Sequence, residues 1–598
     1  MTVSEISASI NLGLERIVHF LEHTLPEDPR AKLRVVHVAG TNGKGSVCAL
    51  LAEAAMAAGY KVGVFNSPHF LEPNDAIRVQ GQAIPAANYA ELRAWIASLD
   101  SKAQSPGGLL SLFELTTVAA LWWFAQHEVD LAVVEVGLGG LRDATNVFGL
   151  ADGTDTPLGV GRSLVQCICP VDEDHMGVIG DTIEDIAREK SGIMRPGSWI
   201  VIANQERVNA FHTIRHYAHR NSPNQIVNVR RQPCSDSHVS NFSIQHNDSC
   251  SAPASFNIRP PTIAPTWATF NGTGRRCLNV KYPPLLDTYV KTPLLASDAA
   301  VSSGPEIAPM SKKLNLPLVL PGNFQADNAS VAFYALDVLR TYYGYDKLTD
   351  TAIQIGFQNV IWPGRLSWLL LDRPSPPTPT ATGTPPSAVA TSGENGSMAA
   401  ATLAVADRKP SPSSRSSTSS NCSGRSGHIT DRSSLSEIDT LDSWVLADGA
   451  HNEPAAAELR RYVDTTLRRF SQQRHVHPRN SRRLKGAPPV RWIVGFSRGK
   501  AMTAILSQLA LPRDLLWLVP FSPPSEMPWI SCETTDAIYE AAQKMPCFEQ
   551  IDVEQFDSLA CVLDRLAADD SDAYMNVLCG SLYLVADLYR ELKIRPFD

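Results

Sequence analysis

Gly40-Thr41-Asn42-Gly43-Lys44-Gly45-Ser46 brings together the residue types that hold a nucleotide's phosphates. The glycines let backbone N–H groups come close to phosphate oxygens. Lys44 can bridge β- and γ-phosphate oxygens, and the Ser46 hydroxyl can reach a Mg²⁺ ion. In the usual phosphate loop Ser or Thr directly follows the lysine; here Gly45 intervenes. A loop of this kind serves nucleotide switches as well as catalysts. Glu135 is a second chemical signal, since it interrupts the apolar run from Leu131 to Val136. A carboxylate there is costly unless it is paired or holds a cation. Glu135 therefore reads either as half of a structural salt bridge or as a hard-cation ligand, and Mg²⁺ takes carboxylate oxygens together with waters and substrate phosphates. Asn66-Ser67-Pro68-His69 places a hydroxyl and an imidazole together, and Lys190 by itself reads as a cation on a solvated helix face.

Such chemistry needs a strand ending at the loop and a helix leaving it. Val35–Ala39 is β-branched and apolar, and Val47–Met56 is rich in Ala and Leu. Helical spacing from Ile10 to Leu21 predicts a leading helix. A second strand over Val62–Phe65 would end at Ser67 and His69, on the ligand rim of a parallel sheet. A helix is expected from Phe113 to Phe124, and Val129–Gly137 reads as a strand buried on both faces. Residues 149–164 read as a small insertion. Asp143 and Asn146 either orient ligands or close the turn that carries them.

The glycine loop resembles the ATP loop of the folylpolyglutamate synthase and dihydrofolate synthase family, relatives of the Mur ligases. Further segments resemble that family in the same order: Ser67-Pro68-His69, Asp174-His175, Pro321-Gly322-Asn323-Phe324-Gln325, Trp362-Pro363-Gly364-Arg365 and Asp448-Gly449-Ala450-His451. The resemblance implies a two-domain, Mur-ligase-like α/β fold. An N-terminal P-loop domain would carry a mostly parallel sheet, and a Rossmann-like domain would follow. It implies ATP and two Mg²⁺ ions as cofactors. Ser67, Glu135 and His175 would hold one ion, and Lys190, carbamylated, would hold the other. Lys44, Lys190 and His175 are the implied catalytic residues. ATP would be held by residues 40–46 (Gly40, Thr41, Asn42, Gly43, Lys44, Gly45, Ser46), with Arg365, Asp448 and His451 reaching it from the second domain. Ser46 joins the metal set. Leu141-Arg142 reverses the family's order, so Arg142 is given no role. The implied substrates are a pterin-linked carboxylate and L-glutamate. Polyglutamate synthases of eukaryotes carry Lys where Asn42 stands and a basic residue where Glu114 stands, so dihydropteroate is the expected acceptor. A folate γ-carboxylate is the alternative, and a non-catalytic ATP-binding regulator is the rival from another class. A cell-wall ligase is disfavoured, because the Gly-Lys-Gly-Ser form belongs to the folate branch.

A length of 598 residues with 44% hydrophobic content supports two folded domains once low-complexity stretches are set aside. The first is expected over 1–320, with an insertion at about 205–312. The second is expected over 321–598, with a disordered insertion at 372–440, rich in Pro and Ser, and a basic loop at 471–489. A net charge of −8 offers no electrostatic case for nucleic acid. Eleven cysteines without paired CxxC sets indicate neither a zinc site nor a disulfide framework. No apolar run reaches membrane-spanning length, and the N-terminal residues lack both a basic signal region and Arg-rich targeting character. A monomer in the cytoplasm is the expectation.

Overall fold

The apolar run before the glycine loop forms β1 (Arg34–Ala39), preceded by α1 (Glu15–His23) and followed by α2 (Lys44–Ala57). This is a computed structural model. It describes residues 12–24, 32–103, 106–150, 160–174, 176–222, 225–232, 240–246, 255–259, 266–268, 279–281, 314–318, 320–371, 444–468, 489–527, 530–568 and 574–598. The expected insertion at 372–440 and the basic loop at 471–488 lie outside them.

After α2 the chain forms β2 (Val62–Phe65), β3 (Ile77–Val79), β4 (Gln82–Ala83), α3 (Ala86–Ala103), α4 (Leu112–Gln126) and β5 (Leu131–Glu135). It continues through β6 (Arg162–Ile168), α5 (Ile183–Ser191), β7 (Trp199–Ile202), α6 (Val208–Asn221) and β8 (Ile226–Gln232). β1 lies between β5 and β6, parallel to both, with Val38 opposite Glu135 and Ala39 opposite Ile168. β2, β7 and β8 extend the parallel core, while β3 and β4 add an antiparallel edge.

Two expectations are corrected here. The stretch read as an insertion at 149–164 runs into β6, the neighbour of β1. Val165, Cys167 and Ile168 are fully buried there, as in a strand covered on both faces. The expected insertion at 205–312 begins with α6 and β8, which continue the alternation of strand and helix. Beyond them, β9 (Ser240–His246), β10 (Ser255–Arg259) and β13 (Leu314–Pro317) widen the sheet, and β11 (Thr266–Ala268) pairs with β12 (Asn279–Lys281).

The second domain is expected to begin at 321, but the chain there packs on the first sheet. α7 (Asn323–Tyr342) and α8 (Asp350–Asn359) share one core with α2, in which Val47, Leu50 and Leu51 meet Val331, Leu336 and Phe357. α2 is apolar on every side because it is enclosed between the sheet and these helices. Gly356 permits the close approach, since a Cβ there would strike the backbone of Ala54.

The second sheet orders β14 (Ser367–Leu370), β15 (Trp444–Ala447), β16 (Val490–Val494), β17 (Leu515–Leu518), β18 (Asp552–Gln555) and β19 (Met575–Cys579) as β14-β15-β19-β16-β17-β18. It is parallel except at β14. α9 (Glu453–Tyr462), α10 (Met502–Leu509), α11 (Thr535–Gln543), α12 (Leu559–Ala568) and α13 (Leu582–Glu591) follow its strands. Among the described residues no helix is long and apolar enough to cross a membrane.

Candidate active site

The glycine loop leaves the C-terminal end of β1, and the parallel register puts Glu135 beside it at the end of β5. Gly43 turns the chain with φ 89°, a left-handed value that favours glycine. The first helical hydrogen bond of α2 runs from Val47 N–H to Gly43 O (2.9 Å). The N–H groups of Lys44, Gly45 and Ser46 precede that ladder, and such groups at a helix N-terminus attract anions. The first half of the loop is different. Thr41 and Asn42 N–H donate to Pro170 O (2.9 and 3.3 Å), so these two donors anchor the loop to the end of β6.

Glu135 is buried. Its Oε2 accepts from Asn66 Nδ2 (2.7 Å), and the Ser67 backbone N–H donates to the same carboxylate. Burial pushes its pKa up, and the Lys44 charge and the two hydrogen bonds pull it back. Lys44 Nζ stands 3.9 Å from Oε1. That is outside hydrogen-bond reach, so the two do not close into a tight salt bridge. Ser46 is buried and Ser67 half-buried. Among the described residues no three His, Cys, Asp or Glu side chains cluster as metal ligands. A cation at Glu135 would draw its other ligands from hydroxyls, waters and phosphates, which suits Mg²⁺. His175 lies outside the described residues.

Lys190 is not on a solvated face. It is buried, and Nζ donates to Gly40 O (2.9 Å). Burial, reinforced by the neighbouring Lys44 charge, lowers its pKa to about 7. Lys190, Lys44, Gly40, Thr41 and Asp174 line one cleft together with the turn 136–139. Asp143 and Asn146 close that turn. Asp143 accepts from Leu138 N–H (2.7 Å), and Asn146 Nδ2 donates to Leu141 O (3.0 Å). Arg142 pairs with Glu189, beside Lys190 (3.3 Å).

The second sheet delivers its residues to the same loop. Asp448 sits at the end of β15, where its oxygens accept from Leu366 N–H and Ala450 N–H (2.8 Å each). Its carboxylate thus clamps the Arg365 turn to the strand end. The Arg365 charge acts on Glu135, Asp448 and His451 alike. His451 Nδ1 bonds Gly449 O (2.8 Å), and burial, then the Lys500 charge, lower its pKa to about 4. Asn452 caps α9 through Ala455 N–H (3.0 Å) and reaches Asn42 Oδ1 with its Nδ2 (3.4 Å). Lys500 Nζ lies 3.9 Å from Asp174.

Several of these neighbours were absent from the sequence-derived site. A Cβ on Gly43 would collide with Asn328 Oδ1, and one on Gly45 would collide with the Trp362 ring. Asn328 Nδ2 in turn donates to the buried Gln325 (2.9 Å). All three belong to motifs visible in the sequence as junction segments. Asn66 and Asn452 border the Ser67-Pro68-His69 and Asp448–His451 segments but were given no role, and Lys500 carried no such signal.

Residues 431–591 match the family model described as the C-terminal domain of dihydrofolate synthetase. The probable dihydrofolate synthetase of Schizosaccharomyces pombe is 26% identical over 585 residues, covering 98% of this chain and 99% of that one. The dihydrofolate synthetase of Saccharomyces cerevisiae is 25% identical, covering 97% and 98%. Over its full length the chain is thus similar to dihydrofolate synthetases of two yeasts. The Escherichia coli dihydrofolate synthase/folylpolyglutamate synthase is 38% identical over 204 residues, 33% of this chain and 43% of that one. The same fold occurs in the structure of E. coli FolC in complex with DHPP and ADP, with a TM-score of 0.57, 22% identity and coverage of 99% and 97%. It occurs also in the Yersinia pestis bifunctional enzyme complexed with AMPPNP and Mn ion (TM-score 0.57, 20% identity, 98% and 94% coverage).

Proposed function

We propose that this protein is an ATP-dependent ligase that joins L-glutamate to dihydropteroate and forms dihydrofolate. The observation that carries the reading is the convergence of two domains on one phosphate loop. Lys44, Glu135 and Lys190 come from the first sheet, and Arg365, His451 and Asn452 from the second. The full-length yeast relatives bear the name dihydrofolate synthetase. Asn42 faces Asn452, and Glu114 is buried in an ion pair with Arg16 (2.9 Å). Neither position offers the positive charge that a polyglutamate tail would meet.

A carboxylate does not react with an amine unaided. In the first step the pterin-linked carboxylate attacks the γ-phosphorus of ATP. An oxygen–phosphorus bond forms, the β–γ bridge breaks, and ADP leaves. Glutamate's amine then attacks the acyl carbon, expels inorganic phosphate and releases a proton to solvent. Lys44 and the N–H groups of residues 44–46 balance the phosphate charge, Gln325 and Asn328 hold the loop's shape, and Arg365 brings a second cation across the cleft. Ser46, Ser67, Glu135 and His175 would hold a Mg²⁺ ion, which would supply further charge neutralisation. Lys190 suits carbamylation, because its buried amine is neutral in part near pH 7; that nitrogen would form a bond to the carbon of CO₂ and release one proton to solvent, and the resulting carbamate anion would hold a second Mg²⁺. The protein works as a monomer in the cytoplasm.

Phosphate release with ATP, Mg²⁺ and glutamate tests this, once with dihydropteroate and once with tetrahydrofolate. Turnover with dihydropteroate alone is expected. Turnover with tetrahydrofolate alone would make the protein a polyglutamate synthase. Nucleotide binding without turnover would make it a regulator.

A further inference from the structure

Glu135 is held by a brace that begins at the other end of the chain. Asn66 Nδ2 donates to Glu135 Oε2 (2.7 Å), and Arg78 donates through Nη2 to Asn66 Oδ1, fixing which way the amide points. Arg78 Nη1 also donates to Asp75 O (2.7 Å). The guanidinium carbon lies 4.3 Å from the Phe597 ring centroid and 5.8 Å from that of Trp362, the ring packed on Gly45. Phe597 is itself fastened to the first domain. Ala83 N–H donates to Phe597 O (2.9 Å), Phe70 packs edge-on against both Phe597 and Tyr589, and Arg590 donates to Leu71 O. Arg78, Asn66 and Glu135 are all buried.

We infer that Arg78 and Phe597 are positioning residues for the nucleotide's metal, with the segment after α13 setting the carboxylate of Glu135 through Arg78 and Asn66. The chemistry follows from the contacts. An aromatic face attracts a guanidinium and restricts its tilt. A guanidinium so fixed locks the Asn66 amide in one orientation, and that amide leaves Glu135 Oε1 as the oxygen turned toward Lys44. Ligating carboxylates depend on such outer partners for orientation, and losing one weakens metal binding. The arrangement also couples the domains, because the ring comes from the second and the carboxylate from the first.

This inference rests on Glu135 being a metal ligand, and the experiment separates the two. Mn²⁺ is titrated into the full-length protein with a non-hydrolysable ATP analogue and followed by electron paramagnetic resonance, with melting temperature recorded in the absence of metal. Phe597→Leu keeps apolar volume and removes the aromatic face. Phe597→Trp restores it. Expected is a rise in the Mn²⁺ Kd of about threefold or more in Phe597→Leu, with recovery in Phe597→Trp. Arg78→Lys, which loses the two-pronged grip on Asn66 and Asp75, is expected to show about tenfold. Phe597→Leu and Arg78→Lys proteins that melt lower yet bind Mn²⁺ as the wild type does would overturn the inference and leave Phe597 a packing residue. A Glu135→Gln protein that binds Mn²⁺ as the wild type does would overturn the underlying metal reading, and the inference with it.

Discussion

Glu135, Lys190 and His37 show how one buried titratable side chain after another is made to serve. Glu135→Gln keeps the shape beside Asn66 and removes the charge. It is expected to lower kcat about a thousandfold in a phosphate-release assay, with nucleotide still bound. Lys190→Ala should lose most turnover, and a short carboxylic acid added to the assay should restore part of it, because it returns an anion to the cleft. An unmodified amine would be unresponsive to such rescue. His37 lies on β1 with Nε2 2.8 Å from Thr145 Oγ1, and burial lowers its pKa from 6.5 to about 3. The folded state therefore refuses a proton that the unfolded chain accepts below pH 6.5. Stability is whole above that pH and falls as pH drops toward 3. The loss attributable to His37 between pH 7 and pH 5 is about 2 kcal/mol. Urea unfolding at the two pH values, repeated on His37→Gln, measures it as the difference in slope.

At the level of elements, the β1–loop–α2 unit was legible because its glycines, its lysine and the change from β-branched to Ala/Leu-rich composition lie within about twenty residues. β6 was not legible, although it borders β1, because a Gly- and Asp-rich stretch precedes it and no motif marks it. α7 and α8 fall after the expected domain boundary at 321, yet they pack on the first sheet. Their apolar faces do not name a partner, and the decision lies in the contact of Gly356 with Ala54. Gly356→Val should push the two helices apart and cost about 1–3 kcal/mol in urea unfolding. Gly45→Ala meets the Trp362 ring and should raise the KM for ATP more than that for glutamate, which separate titrations of each substrate would show.

Across the whole molecule, two sheets must meet over one loop. Arg93 on α3 pairs with Glu526 of the second domain, and Tyr89 reaches the same carboxylate (3.4 Å). The pair is partly exposed, so it contributes about 1 kcal/mol or less. Glu526→Ala should raise KM for the acceptor less than about fivefold, an effect that fades at about 0.5 M salt. A larger loss would mean that the contact organises the cleft as well as closing it.

By itself the sequence determined the strand–glycine loop–helix unit, the carboxylate at the neighbouring strand end and the α/β class. These are properties of short segments, where residue type and spacing already imply the backbone that carries them. Tertiary structure decided what no segment contains. It buried Lys190 against Gly40, turned Asp448 into a backbone clamp, took two loop N–H groups for Pro170, and set Trp362 and Asn328 against the glycines. It also carried Phe597 back to Arg78. Each of these joins residues far apart in the chain, and only the packing of one sheet's helices and loops against another brings them within reach.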